Sequence, residues 1–538
     1  MEQILISNLN EIVKNTDELV QVQEKDKWMY MEYTAKDIHG NMLVSSFFDH
    51  PADLILAPNV KGWCKVFVAF VKMGGSFNLK MTGAADFTEF AAPTMSVPAQ
   101  WQANEFVPEF FWCAADMTDK EITLQKAPGN GVPDLCWLRF IPMTDEEVKE
   151  YLAYNAPAKK NTHAQFGAGS AADTTRALRT LENTDVNIAT LDVPLFFDEA
   201  AKKDAFAAYK AQTAMVQSYG VKLYAGYKLS LASAKMFFAP NAGNAFVEAH
   251  PECAITTRDG RALSIASYAY PAVQDFMIGQ IKDAVACGFD GVSLYVNRGM
   301  LIAFEQPVLD AVSAKYGVDA RTLTADDARL NGVWCEIMTA FVKRLGAELD
   351  KAAGKHIAIN LISDFEPATA KRVGIDVEAL SADKAIDSVC QGLMEYTEVL
   401  DGCLKEDGTV DLDAYKEMLK TKAPVSRIAG ESLDKIKAGI PAYLALAEKH
   451  GIDFYAFMCT VRSRAAQYIE WMNALKELGV TNFSTMNFSD RVGDIPRRHL
   501  VSKLGHDEID TTLCEVTAYH TMSLNDSDMS TYVPNWRG

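Results

Sequence analysis

The fold is indicated most clearly by residues 272–299, AVQDFMIGQIKDAVACGFDGVSLYVNRG. Its first part has the apolar spacing of an amphipathic helix, and Gly288 follows as a helix C-cap. The apolar run FDGVSLYV comes next and predicts a buried strand that ends in polar residues. The same order of helix, glycine and apolar run returns in SYGVKLY (218–224) and KHGIDFYAF (449–457). This repetition predicts βα units around a parallel sheet.

Eight such units are found between residues 160 and 480, which predicts a (β/α)8 TIM barrel as the catalytic domain. A doubly wound open sheet is the main alternative. Its phosphate-binding turn, GxGxxG, has only a loose counterpart in FGAGSAAD (166–173), so the barrel is favoured. The candidate strands are THAQFGAG (162–169), VNIATLDVP (186–194), VKLYAGYKL (221–229), GVSLYVNRG (291–299), HIAINLISDF (356–365), SVCQGLMEY (388–396), SRIAGESL (426–433) and IDFYAFMCT (452–460).

The two ends of the chain have a different pattern. Residues 1–150 hold short segments such as KWMYMEYTA (27–35) with period-2 alternation between turn signals, which predicts an all-β sandwich domain. Thr144 and Glu147 have the spacing of a capping box at the start of a helix. Residues 481–538 are predicted to form a short β-leaning C-terminal extension, which either adds strands to the sandwich or covers one end of the barrel.

The amino-acid composition argues against some classes of function and some locations. The 538 residues include 71 Asp and Glu against 52 Lys and Arg, a net charge of −19, which argues against a nucleic-acid partner. The first residues lack the pattern of a secretory signal, and the most apolar run, Val66 to Val71, is too short to span a membrane. The ten cysteines are scattered and read as reduced thiols, so we expect a cytoplasmic protein. The sequence leaves homo-oligomerisation open.

Chemistry in such a barrel is expected where the strands end. Each candidate there also has a structural interpretation: Asp192 could pair with Arg298 as scaffold, Asp364 could cap a helix, and Glu366 and Glu395 could be solvated. The long segment 230–271 is either an aromatic pocket wall, with Phe237, Phe238, Tyr268 and Tyr270, or a flap packed on itself. The candidates at the strand ends are Asp192, Lys228, Asn297, Arg298, Glu305, Asp364, Glu366, Glu395 and Glu431.

Paired carboxylates favour glycoside hydrolysis, in which one acid protonates the leaving oxygen and the other attacks or activates water. The chain has only nine histidines, no HExxH or Cys/His cluster and no GxSxG elbow, so we expect no metal and no cofactor. Lys228 with Arg298 would also suit an anionic sugar such as a uronate.

The segment FFAPN…FVEAHPEC…TRDGRALSIASYAYPAVQDFMIGQIKDAVACGFDGVSLYVNRG (237–299) resembles the glycoside-hydrolase-like family-10 barrels. FFWCAADMTDKEITLQK (110–126) is similar to the β-rich domain found in a subset of them. The resemblance implies a TIM barrel that acts on carbohydrate, and Cys253 departs from it where an aromatic is usual. The matching positions are His250, Asp259, Tyr270, Asp290, Asn297, Arg298 and Glu305; of these, Asp290 precedes its strand and is left out of the predicted site.

These observations predict a glycoside hydrolase acting on a small carbohydrate or glycoside. Glu305, after the fourth strand, is expected to be the general acid/base, and Glu431, at the end of the seventh, the nucleophile or second base. The predicted substrate-binding residues are Asp192, Lys228, His250, Tyr270, Asn297, Arg298 and Asp364. Two alternatives stay open: a metal-dependent sugar isomerase, lyase or aldolase with Asp192, Asp364 and Glu431 as ligands, and a non-catalytic carbohydrate-binding protein.

Overall fold

Eight parallel strands close into a barrel at the centre of the fold. The computed structural model describes residues 2–22, 24–45, 50–71, 75–91, 107–127, 132–167, 169–232, 244–296, 299–324, 327–392, 433–458, 465–485, 493–519 and 522–524. The barrel strands, in order, are β13 (Thr162–Phe166), β14 (Val186–Asp192), β15 (Lys222–Lys228), β19 (Gly291–Tyr295), β20 (Ala358–Ile362), β21 (Ser388–Cys390), β22 (Asp453–Met458) and β23 (Phe483–Thr485). This confirms the predicted (β/α)8 barrel.

Helices follow the strands and cover the outside of the barrel. Residues such as Leu191, Leu223 and Leu294 face outward and pack with helical residues such as Ile281 and Leu345 in one apolar core. Burying a leucine side chain contributes about 1.5–3 kcal/mol, so this layer stabilises the closed sheet. The helices of this part are α2 (Ala171–Arg179), α3 (Glu199–Ser218), α4 (Asn244–Ala249), α5 (Pro271–Val285), α6 (Gln306–Tyr316), α7 (Ala328–Ala353), α8 (Pro367–Ala370), α9 (Val377–Ala382), α10 (Leu433–His450), α11 (Ala465–Lys476) and α12 (Ile495–Val501).

The last two barrel strands correct the sequence prediction. The seventh strand is β22, which was expected to be the eighth, and the eighth is β23, which lies inside the predicted C-terminal extension. The boundary at residue 480 is therefore wrong for the barrel. β23 was missed because it has only three residues, FST, and no apolar run. Residues 426–432 of the strand predicted at 426–433 lie outside the described residues, and Leu433 begins α10.

Antiparallel sheets form the N-terminal part. One has the order β1-β12-β6-β9-β24, and a second has the order β5-β10-β7-β8. Val66 and Phe110 of the first sheet share an apolar core with Leu79 and Leu124 of the second, as expected of packed sheets. The strands are β1 (Ile4–Ile6), β5 (Leu54–Leu56), β6 (Trp63–Ala69), β7 (Phe77–Met81), β8 (Thr88–Phe90), β9 (Val107–Asp116), β10 (Ile122–Lys126), β12 (Trp137–Pro142) and β24 (Val516–Tyr519).

A third antiparallel sheet adds β11 (Asp134–Leu135), β4 (Ile38–Val44), β3 (Trp28–Ala35) and β2 (Leu19–Val20), with β25 (Met522–Leu524) on β3. Since β24 pairs with β9 and β25 with β3, the C-terminal segment adds strands to the N-terminal sheets. The same segment also contacts the amino end of the barrel, where Gly505 N donates to Asp185 Oδ2 at 2.9 Å and His506 Nδ1 lies 2.7 Å from that atom, so both roles that the sequence left open are present. Helix α1 (Asp145–Asn155) begins at the predicted capping box, in which the Thr144 hydroxyl accepts from Glu147 N and the Glu147 carboxylate accepts from Thr144 N.

The segment after β15 forms a small sheet of its own, in the order β16 (Leu231–Ala232), β18 (Ala262–Ala266) and β17 (Ala254–Thr256). Its residues Ile255, Leu263 and Ile265 are buried in the same apolar core as the barrel. The sheet therefore packs on the barrel beside the ends of β15 and β19, where the candidate site lies.

Candidate active site at the carboxyl end of the barrel

Asp192 and Lys228 form an ion pair at the carboxyl ends of two neighbouring strands. Each is the last residue of its strand, β14 and β15, and Lys228 Nζ lies 2.9 Å from Asp192 Oδ2. Each follows by two positions a residue of the barrel interior, Thr190 and Gly226, so period 2 keeps it on the inner face. Their side chains are 19% and 23% exposed. The pair is therefore partly buried and still open to solvent.

Gly226 leaves the space that this pair needs. A Cβ atom there would lie 2.7 Å from Thr190 Cγ2, 3.0 Å from Tyr295 Cε2 and 3.2 Å from Asp192 Oδ1. Any larger residue would press on the strand that carries Asp192. Among the described residues Asp192 pairs with Lys228, whereas Arg298, the partner considered from the sequence, lies outside them.

Asp364 lies two residues after the end of the fifth strand. It follows by two positions Ile362, whose side chain packs in the barrel interior with Tyr224 and Tyr455, and it is itself buried. Its backbone oxygen accepts a hydrogen bond from the Tyr443 hydroxyl at 2.8 Å. The alternative that Asp364 caps a helix is wrong, because the N-cap of α8 is Glu366. Asp192 and Lys228 therefore end two neighbouring strands on the inner face of the barrel, and the buried Asp364 lies two residues beyond the end of β20.

Glu305 is a buried acid held by backbone amides. Its side chain is fully buried, both carboxylate oxygens lie 3.0 Å from Ala303 N, and Oε1 lies 3.3 Å from Thr256 N. Burial raises its pKa to about 7, although hydrogen bonds from the Ala303 and Thr256 amides and from the Ser267 hydroxyl lower it in part. Glu305 thus fastens the segment after β19 to β17 of the small sheet.

The predicted site residues in the segment after β15 differ in how far they are buried. Tyr270 is half-buried at the N-cap of α5, and burial, then the charge of Glu305, raises the pKa of its hydroxyl. His250 is exposed, and its Nδ1 lies 3.1 Å from Glu252 Oε1. Tyr268 is fully buried, and its hydroxyl donates to Leu229 O at 2.8 Å. Tyr268 therefore supports the packed-flap interpretation of this loop and does not line a pocket wall.

Two of the positions matched by the family resemblance, Asp259 and Asp290, make contacts that support the local fold. Asp259 lies in the turn between β17 and β18, where its carboxylate is 2.8 Å from Arg261 Nε. Asp290 precedes β19 and accepts from Leu223 N at 2.9 Å, which fits its exclusion from the predicted site. Phe237, Phe238, Asn297, Arg298, Glu395 and Glu431 lie outside the described residues.

Glu431 was selected because it was expected to end the seventh barrel strand, and that reason is wrong. The seventh barrel strand is β22, Asp453–Met458, so residue 431 precedes that strand in the sequence and does not end it. The expectation that a fourth-strand and a seventh-strand carboxylate form the catalytic pair is therefore wrong as regards strand position. Its catalytic role stays a prediction.

A ring of buried polar side chains beneath the ion pair was missed from the sequence. His163 Nδ1 lies 2.7 Å from Cys390 Sγ and its Nε2 2.7 Å from Thr190 Oγ1, which in turn lies 2.6 Å from Ser293 Oγ. Asn360 Nδ2 donates to Ser293 Oγ at 3.1 Å, and Cys390 Sγ donates to Asn360 Oδ1 at 3.4 Å, which closes the ring. The signal was available: one polar residue recurs on the inner face of five strands.

Hydrogen-bond direction in this ring assigns the imidazole tautomer. If the Cys390 thiol donates to Asn360, its sulfur is left to accept, so His163 Nδ1 carries the proton. Nε2 then accepts from Thr190, and Thr190 accepts from Ser293. Burial lowers the pKa of His163 to about 3, which keeps the ring neutral.

Among the described residues, no three His, Cys, Asp or Glu side chains lie close enough together to hold one metal ion. Within the same ranges, no helix is long and apolar enough to cross a membrane.

Comparison with known proteins gives structural likeness only. No family model matches the sequence, and no curated protein matches it. Among solved structures, the catalytic domain of a β-amylase from Paenibacillus polymyxa aligns with a TM-score of 0.41 and 12% identity over 63% of this chain and 95% of that one. An α-galactosidase from Thermus thermophilus gives 0.33 and 11% over 85% and 90%. An endo-β-1,4-mannanase from Thermotoga petrophila gives 0.34 and 11% over 62% and 68%. Because these TM-scores are below 0.5, the likenesses carry no argument about activity.

Proposed function

We propose that this chain is a glycosidase-type (β/α)8 enzyme, similar to the glycoside-hydrolase-like family-10 barrels, that acts on a small carbohydrate or glycoside. The observation that carries the proposal is the Asp192–Lys228 pair at the carboxyl end of the barrel, with the buried Asp364 two residues beyond the end of β20. Ligands of such barrels bind at this end, and carboxylates with an ammonium group match the hydroxyls of a sugar.

In this proposal Glu305 supplies the proton. A carboxyl group with a pKa of about 7 is about half protonated at neutral pH, so a large share of the molecules hold the proton that a general acid must donate. Glu305 is fully buried, so the transfer requires the segment that holds it to open and expose the carboxyl group. Glu431 is the proposed second carboxylate. The remaining proposed substrate-binding residues are His250, Tyr270, Asn297 and Arg298.

The test is turnover of a panel of aryl glycosides by the full chain and by two variants, Glu305→Gln and Glu431→Gln. Loss of a general acid or nucleophile lowers kcat by about 100-fold or more, whereas the control Glu146→Gln, on the exposed surface of α1, retains full activity. Unchanged turnover in both variants contradicts the assignment of the acids. Absence of turnover by the wild type across the panel contradicts the proposed hydrolase and favours a carbohydrate-binding protein.

A further inference from the structure

We infer that the Asp192–Lys228 pair selects a neutral sugar, bound through two adjacent hydroxyl groups, and discriminates against uronates. This inference rests on the proposed function, because it assigns the substrate class of the same site. It differs from the expectation from the sequence, in which Lys228 together with Arg298 would suit an anionic sugar such as a uronate.

The first step is the charge of the pair. Lys228 Nζ lies 2.9 Å from Asp192 Oδ2, so a ligand that approaches this cation also approaches an anion. With the side chains only 19% and 23% exposed, water screens the carboxylate weakly. A sugar carboxylate placed on Lys228 would meet the like charge of Asp192 within a few ångströms, whereas an uncharged ring meets no such repulsion.

The second step is the match of donors and acceptors. An ammonium group only donates hydrogen bonds and a carboxylate only accepts them. A hydroxyl group can do either, so one hydroxyl can donate to Asp192 while its neighbour on the ring accepts from Lys228. The carboxylate of a uronate can satisfy only the Lys228 half of the pair.

The third step is the orientation of Asp192. Its Oδ1 atom is buried and has no hydrogen-bond partner among the described residues, and a Cβ atom at Gly226 would lie 3.2 Å from it. Lys228 Nζ contacts the other oxygen, Oδ2, at 2.9 Å and so orients the carboxylate. Lys228 therefore positions Asp192 for a hydroxyl in addition to contacting the sugar itself.

The experiment measures binding and needs no turnover. The full chain is titrated with the methyl glycosides of glucose, galactose, mannose and xylose, and with those of glucuronate and galacturonate, by calorimetry or ligand-observed NMR. We expect at least one neutral glycoside to bind tenfold or more tightly than either uronate. This ratio should shrink as salt is added, because the penalty on the uronate is electrostatic.

The variant Asp192→Asn removes one negative charge beside Nζ and keeps the shape of the side chain. We expect it to weaken the neutral glycoside and strengthen the uronates, so that the ratio falls at least tenfold. The control Asp283→Asn opens another Asp–Lys pair, with Lys202 at 2.5 Å on the outer helices, and should leave the ratio unchanged.

A wild-type chain that binds a uronate as tightly as any neutral glycoside overturns the inference, even if Asp192→Asn fails to fold. An unchanged ratio in folded Asp192→Asn overturns it as well, and so does a chain that binds neither class. Binding of a neutral glycoside without any turnover supports the inference while the proposed hydrolase fails, so the two failures are distinguishable.

Discussion

The Nδ1 atom of His163 lies 2.7 Å from the Sγ atom of Cys390 in the interior of the barrel, where neither side chain reaches solvent. The contact belongs to a neutral ring that joins five strands just below the proposed sugar site. A buried polar network of this kind stabilises only when each member is satisfied, so its parts should respond strongly to single changes.

Acid should destabilise the fold through His163. Burial lowers the pKa of its imidazole from 6.5 to about 3, so the unfolded chain binds one more proton than the folded chain between these pH values. Stability attributable to His163 therefore rises with pH through this window by up to about 1.4 kcal/mol per pH unit, and is constant above it. We expect His163→Gln to show a shallower rise than the wild type in chemical denaturation measured from pH 4 to 7.

The matched control for that series is Cys390→Ser, which keeps His163 and its burial and should keep the wild-type slope. An equal slope in His163→Gln and wild type would contradict the lowered pKa. His499 has the same direction, since burial also lowers its pKa to about 3, so some acid sensitivity should persist in His163→Gln.

The contribution of Glu305 to stability should change with pH in the opposite direction. Its pKa rises from 4.5 to about 7 on folding, so the folded chain binds the extra proton between these values and stability falls as pH increases through them. Glu305→Gln is neutral in both states and lacks this dependence. We expect the stability of the variant relative to wild type to increase from pH 5 to pH 7.5, as followed by thermal unfolding. A difference that is constant with pH would show that the carboxyl group is ionised in the folded state.

His356 provides a third, weaker pH dependence at the amino end of the barrel. Nε2 lies 2.9 Å from Asp387 Oδ1 and Nδ1 lies 3.1 Å from Asp350 Oδ2, and these hydrogen bonds raise its pKa above 6.5. Its stabilising effect is present below pH 6.5 and is lost as pH rises through the raised value. Because 61% of the side chain is exposed, we expect His356→Gln to cost at most about 1 kcal/mol at pH 5.5 and nothing at pH 9. Equal costs at both pH values, measured by urea denaturation, would be inconsistent with a charged clamp.

The sequence predicted those parts of the molecule that follow from periodicity. Alternation along VNIATLD and KLYAGYK placed Asp192 and Lys228 at the ends of neighbouring strands, and the structure pairs them. The strand Phe483–Thr485 could not be predicted, because it has only three residues, two of which carry hydroxyl groups, and so forms no apolar run. The burial of Glu305 could not be predicted either, since it depends on Thr256, 49 residues away in the chain.

The hydrogen bonds of the polar ring could not be predicted from the sequence either. His163, Thr190 and Ser293 are polar residues of three different strands, and only closure of the barrel brings them within hydrogen-bond distance. Pair contacts between distant strands depend on barrel register, which one sequence does not reveal. The sequence therefore located the carboxyl end of the barrel but not the network below it.

Gly439 in α10 should be intolerant of even a methyl group. A Cβ atom there would lie 1.9 Å from Phe365 O and 3.2 Å from Gln391 Nε2, and the first of these is a backbone atom that cannot rotate away. Gly439→Ala must therefore shift α10 or the segment after β20, which also carries Asp364. We expect a loss of about 1–3 kcal/mol in the free energy of unfolding, together with weaker glycoside binding. The matched control is Gly279→Ala in α5, where no atom lies within 4 Å of the new methyl group. Because alanine is favoured over glycine inside a helix, this control should raise the free energy of unfolding by about 0.5–1 kcal/mol. If Gly439→Ala unfolds at the wild-type temperature, the close approach of α10 to Phe365 is wrong; if it is destabilised but binds glycosides as the wild type does, the segment with Asp364 does not contribute to the site.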